Sequence, residues 1–247
     1  MKYIYILIII FFLGGCKSTP EYLNTEQLKK NYQTLGFGHF YVEKELRFFQ
    51  KQLKNHYNTP IKVALEERGF KIVDASSVYD HYQELLQNSD NLYDPLTGQK
   101  NENMNNNLWK RALVKTKQEL GIDAFVFSGV DTVRAHFTNS LLLGYVAKWF
   151  GQEESYLVGG AGGTDVLTSF FQNQKGYLPG SRVYIQVRDE KDKLLTMGSG
   201  GIELISQFNS DEEIVTKTPD KLFKDQSKLD GALKFAMETI DTWKAKK

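Results

Sequence analysis

Leu120-Gly121-Ile122-Asp123-Ala124-Phe125-Val126-Phe127-Ser128-Gly129-Val130 reads as a helix stop followed by a nearly continuous apolar strand, the pattern of a strand buried on both faces. Upstream, Leu108, Trp109, Ala112, Leu113, Thr116 and Leu120 recur at helical spacing, and Gly121 supplies the terminating glycine. Further upstream, Ser76 or Ser77 is expected to cap a helix carrying Val78, Tyr82, Leu85 and Leu86. Asp94-Pro95-Leu96-Thr97-Gly98 and the Asn-rich stretch 99–107 separate those two helices. Before them come a β-rich Gln33–Val42, a helical Glu43–Tyr57, and Thr59-Pro60, which the hydroxyl-then-proline pattern marks as a helix start. That helix would carry Ile61 and Leu65, end at Gly69, and lead into a short strand at Phe70–Val73.

Downstream, Ser181–Asp189 alternates: Val183, Ile185 and Val187 on one face, Arg182, Tyr184, Gln186 and Arg188 on the other. Glu190–Lys193 makes a charged turn, Leu194–Phe208 returns, and Asp220–Lys244 closes the chain as a docking helix with Leu229, Leu233, Ala236, Met237 and Ile240. The order of strands and helices predicts an α/β fold, a mixed sheet with helices packed on it plus a C-terminal helix.

The composition is that of a folded globular chain: 247 residues, 41% hydrophobic and 25% charged. One cysteine, Cys16, excludes an intrachain disulfide framework and a Cys-rich metal site. Lys2 precedes an unbroken apolar or aromatic run from Tyr3 to Leu13, then Gly14, Gly15 and Cys16. Those eleven residues would span only about 16 Å as a helix, half a hydrocarbon core, so the segment reads as a removable signal peptide over residues 1–15.

Leu13-Gly14-Gly15-Cys16 resembles the lipobox of bacterial lipoproteins. The resemblance implies that the Cys16 thiol carries diacylglycerol and, after cleavage, a further acyl chain such as palmitate on its amino group, which holds the protein stably to a membrane. Lys17 rather than aspartate implies sorting to the inner leaflet of the outer membrane, facing the periplasm. The mature chain balances its cations and anions, which gives no field for nucleic acid. Residues 16–32 are expected to be the lipidated cysteine and a polar tether with about one helical turn, reaching at most about 55 Å. Residues 33–247 are expected to be a single periplasmic domain with an apolar, Gly-rich insertion at 141–171.

Catalytic and cofactor motifs are absent from the sequence. His39, His56, His81 and His136 fall in no recognised zinc spacing, and a surface or core role is expected of each. Gly198-Ser199-Gly200-Gly201 lacks nucleophile-elbow spacing and reads as a hairpin bulge. Gly159-Gly160-Ala161-Gly162-Gly163-Thr164 matches neither a P-loop nor a dinucleotide fingerprint. Asp94, Thr97, Asn101 and Glu102 lack the spacing of a calcium loop. No catalytic, metal or cofactor-binding residue is assigned. Within 141–171, Leu141–Phe150 holds one charge over ten residues, the length of a membrane-spanning strand, but it does not alternate cleanly, so packing on the sheet or against a partner is expected over insertion.

Ala64–Asp74 (ALEERGFKIVD) and Leu120–Gly129 (LGIDAFVFSG) resemble the periplasmic α/β domain of the curli-secretion lipoproteins and of the lipoprotein activators of penicillin-binding proteins. In those families a helix ends at a glycine before a strand, and a later strand begins acidic-then-small and ends in glycine. The curli exporter uses two membrane hairpins per subunit where this chain offers one candidate, and the activators use a long linker where this tether is short. The resemblance implies a non-enzymatic, lipid-anchored binding or assembly module that acts on another envelope protein. A subunit of an oligomeric outer-membrane secretion pore is the alternative.

Overall fold

A computed structural model describes residues 22–89, 92–140, 144–158, 175–209, 211 and 213–243. Residues 1–15, expected as a signal peptide, Cys16, residues 141–143 and residues 159–171, with the Gly-rich 159–164, lie outside the described residues.

Helix α1 (Thr25–Asn31) leads into strand β1 (Thr34–Val42), a 3-10 turn (Lys44–Phe49) and the long helix α2 (Gln50–Glu67). Strand β2 (Lys71–Asp74), helices α3 (Ser77–Gln87) and α4 (Glu102–Leu120) and strand β3 (Ala124–Ser140) follow. Strands β4 (Gly144–Trp149), β5 (Gln152–Ser155), β6 (Lys175–Arg188) and β7 (Leu194–Leu204) complete the main sheet. A small ribbon of β8 (Ser206–Phe208) and β9 (Ile214–Thr216) precedes helix α5 (Gln226–Thr242).

The expected mixed sheet with helices on it is present. Strand β1 pairs parallel with β2 and with β3, while β6 runs antiparallel along β3 and β7 antiparallel along β6. Strand β3 outruns β1: beyond Val130 it stays paired to β6, and from His136 its other side is taken by β4, which in turn pairs with β5.

Three apolar clusters follow from this. The main core lies between α2, α5 and one sheet face, where Ala124, Val126 and Val130 meet Val183, Ile185 and Val187. Alternation turns Phe125 and Phe127 to the other face, under α3 and α4 with Ala112, Leu113 and Ile122. The third, Ala135, Phe137, Tyr145, Ala147, Trp149, Tyr156, Leu178 and Leu204, closes the far end of the sheet. From Tyr145 to Leu157 the apolar segment is therefore on the body: Tyr145, Ala147 and Trp149 are buried, and the Trp149 indole donates to the Ser181 carbonyl at 2.9 Å.

Several local expectations are corrected. Thr59-Pro60 does not start a helix; α2 runs through it, because Leu53, Tyr57, Ile61 and Leu65 form one buried stripe whose packing outweighs the backbone bond that proline cannot donate. Ser76 sits at the N-cap of α3, but its hydroxyl turns back to Asp74 at 2.6 Å instead of capping. The C-terminal helix begins at Gln226, capped by Asp225, after a loop that buries Leu222 and Phe223.

Gly198 and Gly200 are not turn glycines. They lie in mid-strand, where α5 crosses so closely that a Cβ on either would penetrate the Ala236 or Ala232 carbonyl oxygen. A register shift does follow, between the pairs Gly180–Leu204 and Arg182–Gly201. Residues 22–32, expected as tether, are docked: α1 has a capping box between Asn24 and Gln27, and Leu28 is fully buried in the main core.

Candidate functional site

Helices α2 and α5 cover one sheet face from the start of β3 to about Val130, whereas α3 and α4 cover only the β2-β1-β3 side of the other. The uncovered remainder forms a shallow cavity of about 250 Å³, lined by His39, Tyr41, Phe127, Tyr184, Gln186 and Arg188 from the strands, Tyr79 and Trp109 from the helices, and Asp192 from the turn. Each strand residue arrives by alternation opposite a core residue: Tyr184, Gln186 and Arg188 back Val183, Ile185 and Val187. Gly38 and Gly129 leave the floor low, and a Cβ at Gly129 would meet the Tyr184 hydroxyl at 2.8 Å.

The wall is a run of rings. His39 stacks on Tyr79 (4.8 Å between centroids), Tyr79 meets Trp109 (5.7 Å), and Trp109 meets Phe127 (5.7 Å). Burial raises the Tyr79 phenol above its ordinary pKa and pushes that of Tyr184 well above it, there with help from the Asp131 carboxylate, so both stay protonated. Arg188 donates to Gln186 and Asp192 at 3.1 Å each, which neutralises its charge locally. Toward the far end, Arg182 makes a two-pronged pair with Asp131 (2.8 and 3.0 Å) and lies over the ring of Phe150 (4.9 Å). The surface offers ring faces, donors and acceptors with little net charge.

Serine, histidine and aspartate all line this cavity, yet they do not form a relay. Asp192 is held by Arg188 and His39 by the Tyr79 ring. Alternation sets the Ser128 side chain with Ala124, Val126 and Val130 on the opposite sheet face, and its buried hydroxyl has no hydrogen-bond partner among the described residues.

The other histidines are dispersed. His56 meets Asp230 (3.1 Å) between α2 and α5, His81 lies between Thr116 (2.8 Å) and Glu119 (3.1 Å), and His136 packs beside Tyr177. Asp94 accepts the Leu96 and Thr97 amides in a turn closed by Gly98 at φ +67°. No group of three or more metal-ligating side chains occurs among the described residues.

A second polar cluster has no sequence signature. Lys217 bridges the half-buried carboxylate of Glu154 (2.5 Å) and the buried one of Glu203 (3.6 Å), and Lys228 reaches Glu154 at 3.1 Å. Glu203 also accepts the Phe223 amide. Burial nevertheless holds the Glu203 carboxyl above the usual range, against the pull of that amide and the two lysines. The cluster ties β5, β7 and α5 together beside a cavity of about 350 Å³ rimmed by Lys221 and Lys224.

Compared with known proteins, the chain matches no family model, and no curated protein is significantly similar to it. The ring-lined sheet face therefore stands on its own geometry. Among the described residues, no helix is long and apolar enough to cross a membrane.

The strand wall was legible beforehand as the alternating polar face of Ser181–Asp189. The helix wall was missed, because Tyr79 and Trp109 carry the same spacing as core residues and only the partial cover of α3 and α4 leaves them at a rim.

Proposed function

We propose that this chain is a lipid-anchored envelope protein that binds another envelope component through the uncovered sheet face, as a non-enzymatic binding or assembly module. Attachment rests on the Leu13–Cys16 motif, where Cys16 is the only sulfur available for acylation. Binding rests on one observation, a concave floor of half-buried rings, with Tyr41 exposed at its edge, and of hydrogen-bonding groups whose charges are paired with one another. Such a surface gives a partner apolar contact and orientation together, and aromatic and Arg residues are those that dominate binding energies. Outer-membrane residence with the body in the periplasm belongs to the same reading.

The test has two arms. Metabolic labelling with a palmitate analogue should mark the wild type and not Cys16→Ser, which should leave the membrane fraction. A photo-crosslinker at Tyr41, about half exposed, should capture one discrete partner in intact cells, and Arg188→Ala with Trp109→Ala should abolish that capture. An unlabelled wild type sinks the anchor; a capture indifferent to those substitutions sinks the site.

A further inference from the structure

We infer that the end of the sheet where β3 starts is the end held at the anchoring leaflet, and that the far end, where the apolar segment is rooted, is unrestrained and on average stands farther from that leaflet. This rests on the lipid-anchor reading above and deepens it.

The described chain is docked from Tyr22 onward. Tyr22 meets the Trp243 ring edge-on at 4.7 Å, the Leu23 amide donates to the Leu195 carbonyl at 2.8 Å, and Thr25 donates to Asp241, which Arg68 also clasps at 2.6 Å. Asp123, just before β3, accepts the Gln33 and Thr34 amides at 2.8 Å each. These contacts gather the end of α2, the end of α5, the start of β3 and the start of β7 at one pole of the sheet. Only five residues lie between Cys16 and Tyr22, so the six Cα-to-Cα steps give a contour of at most about 21 Å. The acylated end therefore cannot stray far from that pole while α1 is docked.

From the same pole β3 runs to Ser140, and β6 returns from Lys175 to Arg188 beside the turn of Glu190 and Lys191. The β6 contour alone is about 43 Å. That is twice what the free linker can reach. With α1 seated, which keeps Leu28 fully buried, the tether restrains only the near pole, and the far end swings freely and on average lies farther from the leaflet that holds the acyl chains.

The experiment uses full-length lipidated protein in vesicles containing an energy-acceptor lipid. Acylation of Cys16 leaves an introduced cysteine as the single free thiol, so a donor dye is placed at Lys191→Cys or Lys175→Cys, both exposed positions. Transfer at position 191 should exceed that at 175 by about twofold or more, given the contour difference. A flexible insertion of about twenty residues after Lys17, long enough to free the docked body from the surface, should lower transfer at 191 and shrink the difference. Equal or reversed transfer overturns the orientation, as does an insertion that changes nothing. Failure of the wild type to carry lipid or bind vesicles overturns the anchor itself, and is read separately by mass and flotation.

Discussion

Glu203 shows how a single residue sets a pH dependence. Its carboxyl is pushed up by burial despite Lys217, Lys228 and the Phe223 amide. A carboxyl whose folded pKa lies above its unfolded one contributes stability below the unfolded value near 4.5, and that contribution is lost as pH rises through the folded value. Stability should therefore fall over the window just above pH 4.5, and Glu203→Gln, which cannot ionise, should flatten that fall in denaturant titrations at stepped pH. Asp74 and Asp241 are held below their ordinary value, by the Ser76 hydroxyl and the Arg68 guanidinium respectively, so they act at lower pH and leave the window clear. Lys217→Met should cost about 3 kcal/mol in the same titration at neutral pH, because it strands Glu203 as a buried anion beside Glu154. A loss below about 1 kcal/mol, the scale of a surface pair, would show that the network is solvated.

At the scale of elements, α5 and β7 approach each other to backbone contact. Gly200→Ala should destabilise by about 3 kcal/mol, at the upper end of overpacking costs, since the added carbon meets a carbonyl of α5 rather than a side chain that can move. An unchanged unfolding midpoint would mean that the helix can slide. Helix α2 carries the opposite case, a residue that opposes its element. Pro60→Ala restores a backbone donor within the helix and should raise stability by about 2 kcal/mol, the helix penalty of proline less its stiffening of the unfolded chain. Periodicity showed the stripe of Leu53, Tyr57, Ile61 and Leu65 on either side of the proline. Local chemistry argued for a break at Thr59-Pro60, and burial of the stripe prevailed.

For the whole molecule, the decisive arrangement is the seating of the N-terminal segment on the body. Residues 22–32 are polar enough to pass for tether, yet Leu28 fills a place in the main core and Asn24 with Gln27 caps its helix. Leu28→Ala should cost about 3 kcal/mol, a core cavity, where a free tether would show no change in thermal or denaturant unfolding. The sequence by itself determined the mixed α/β architecture, the glycine stops at Gly69 and Gly121, and the alternation that splits Ser181–Asp189 into a core face and an open face. These follow from periods of 3.6 and 2 and from backbone conformations that glycine permits, all written within a few residues. Only the tertiary structure decided that α3 and α4 cover part of their face and leave a ring-lined floor. It alone brought Glu154, Glu203, Lys217 and Lys228 together, and it alone turned a tether into a docked helix. Each of these depends on distances between segments far apart in the chain, and no local pattern records where another segment will come to rest.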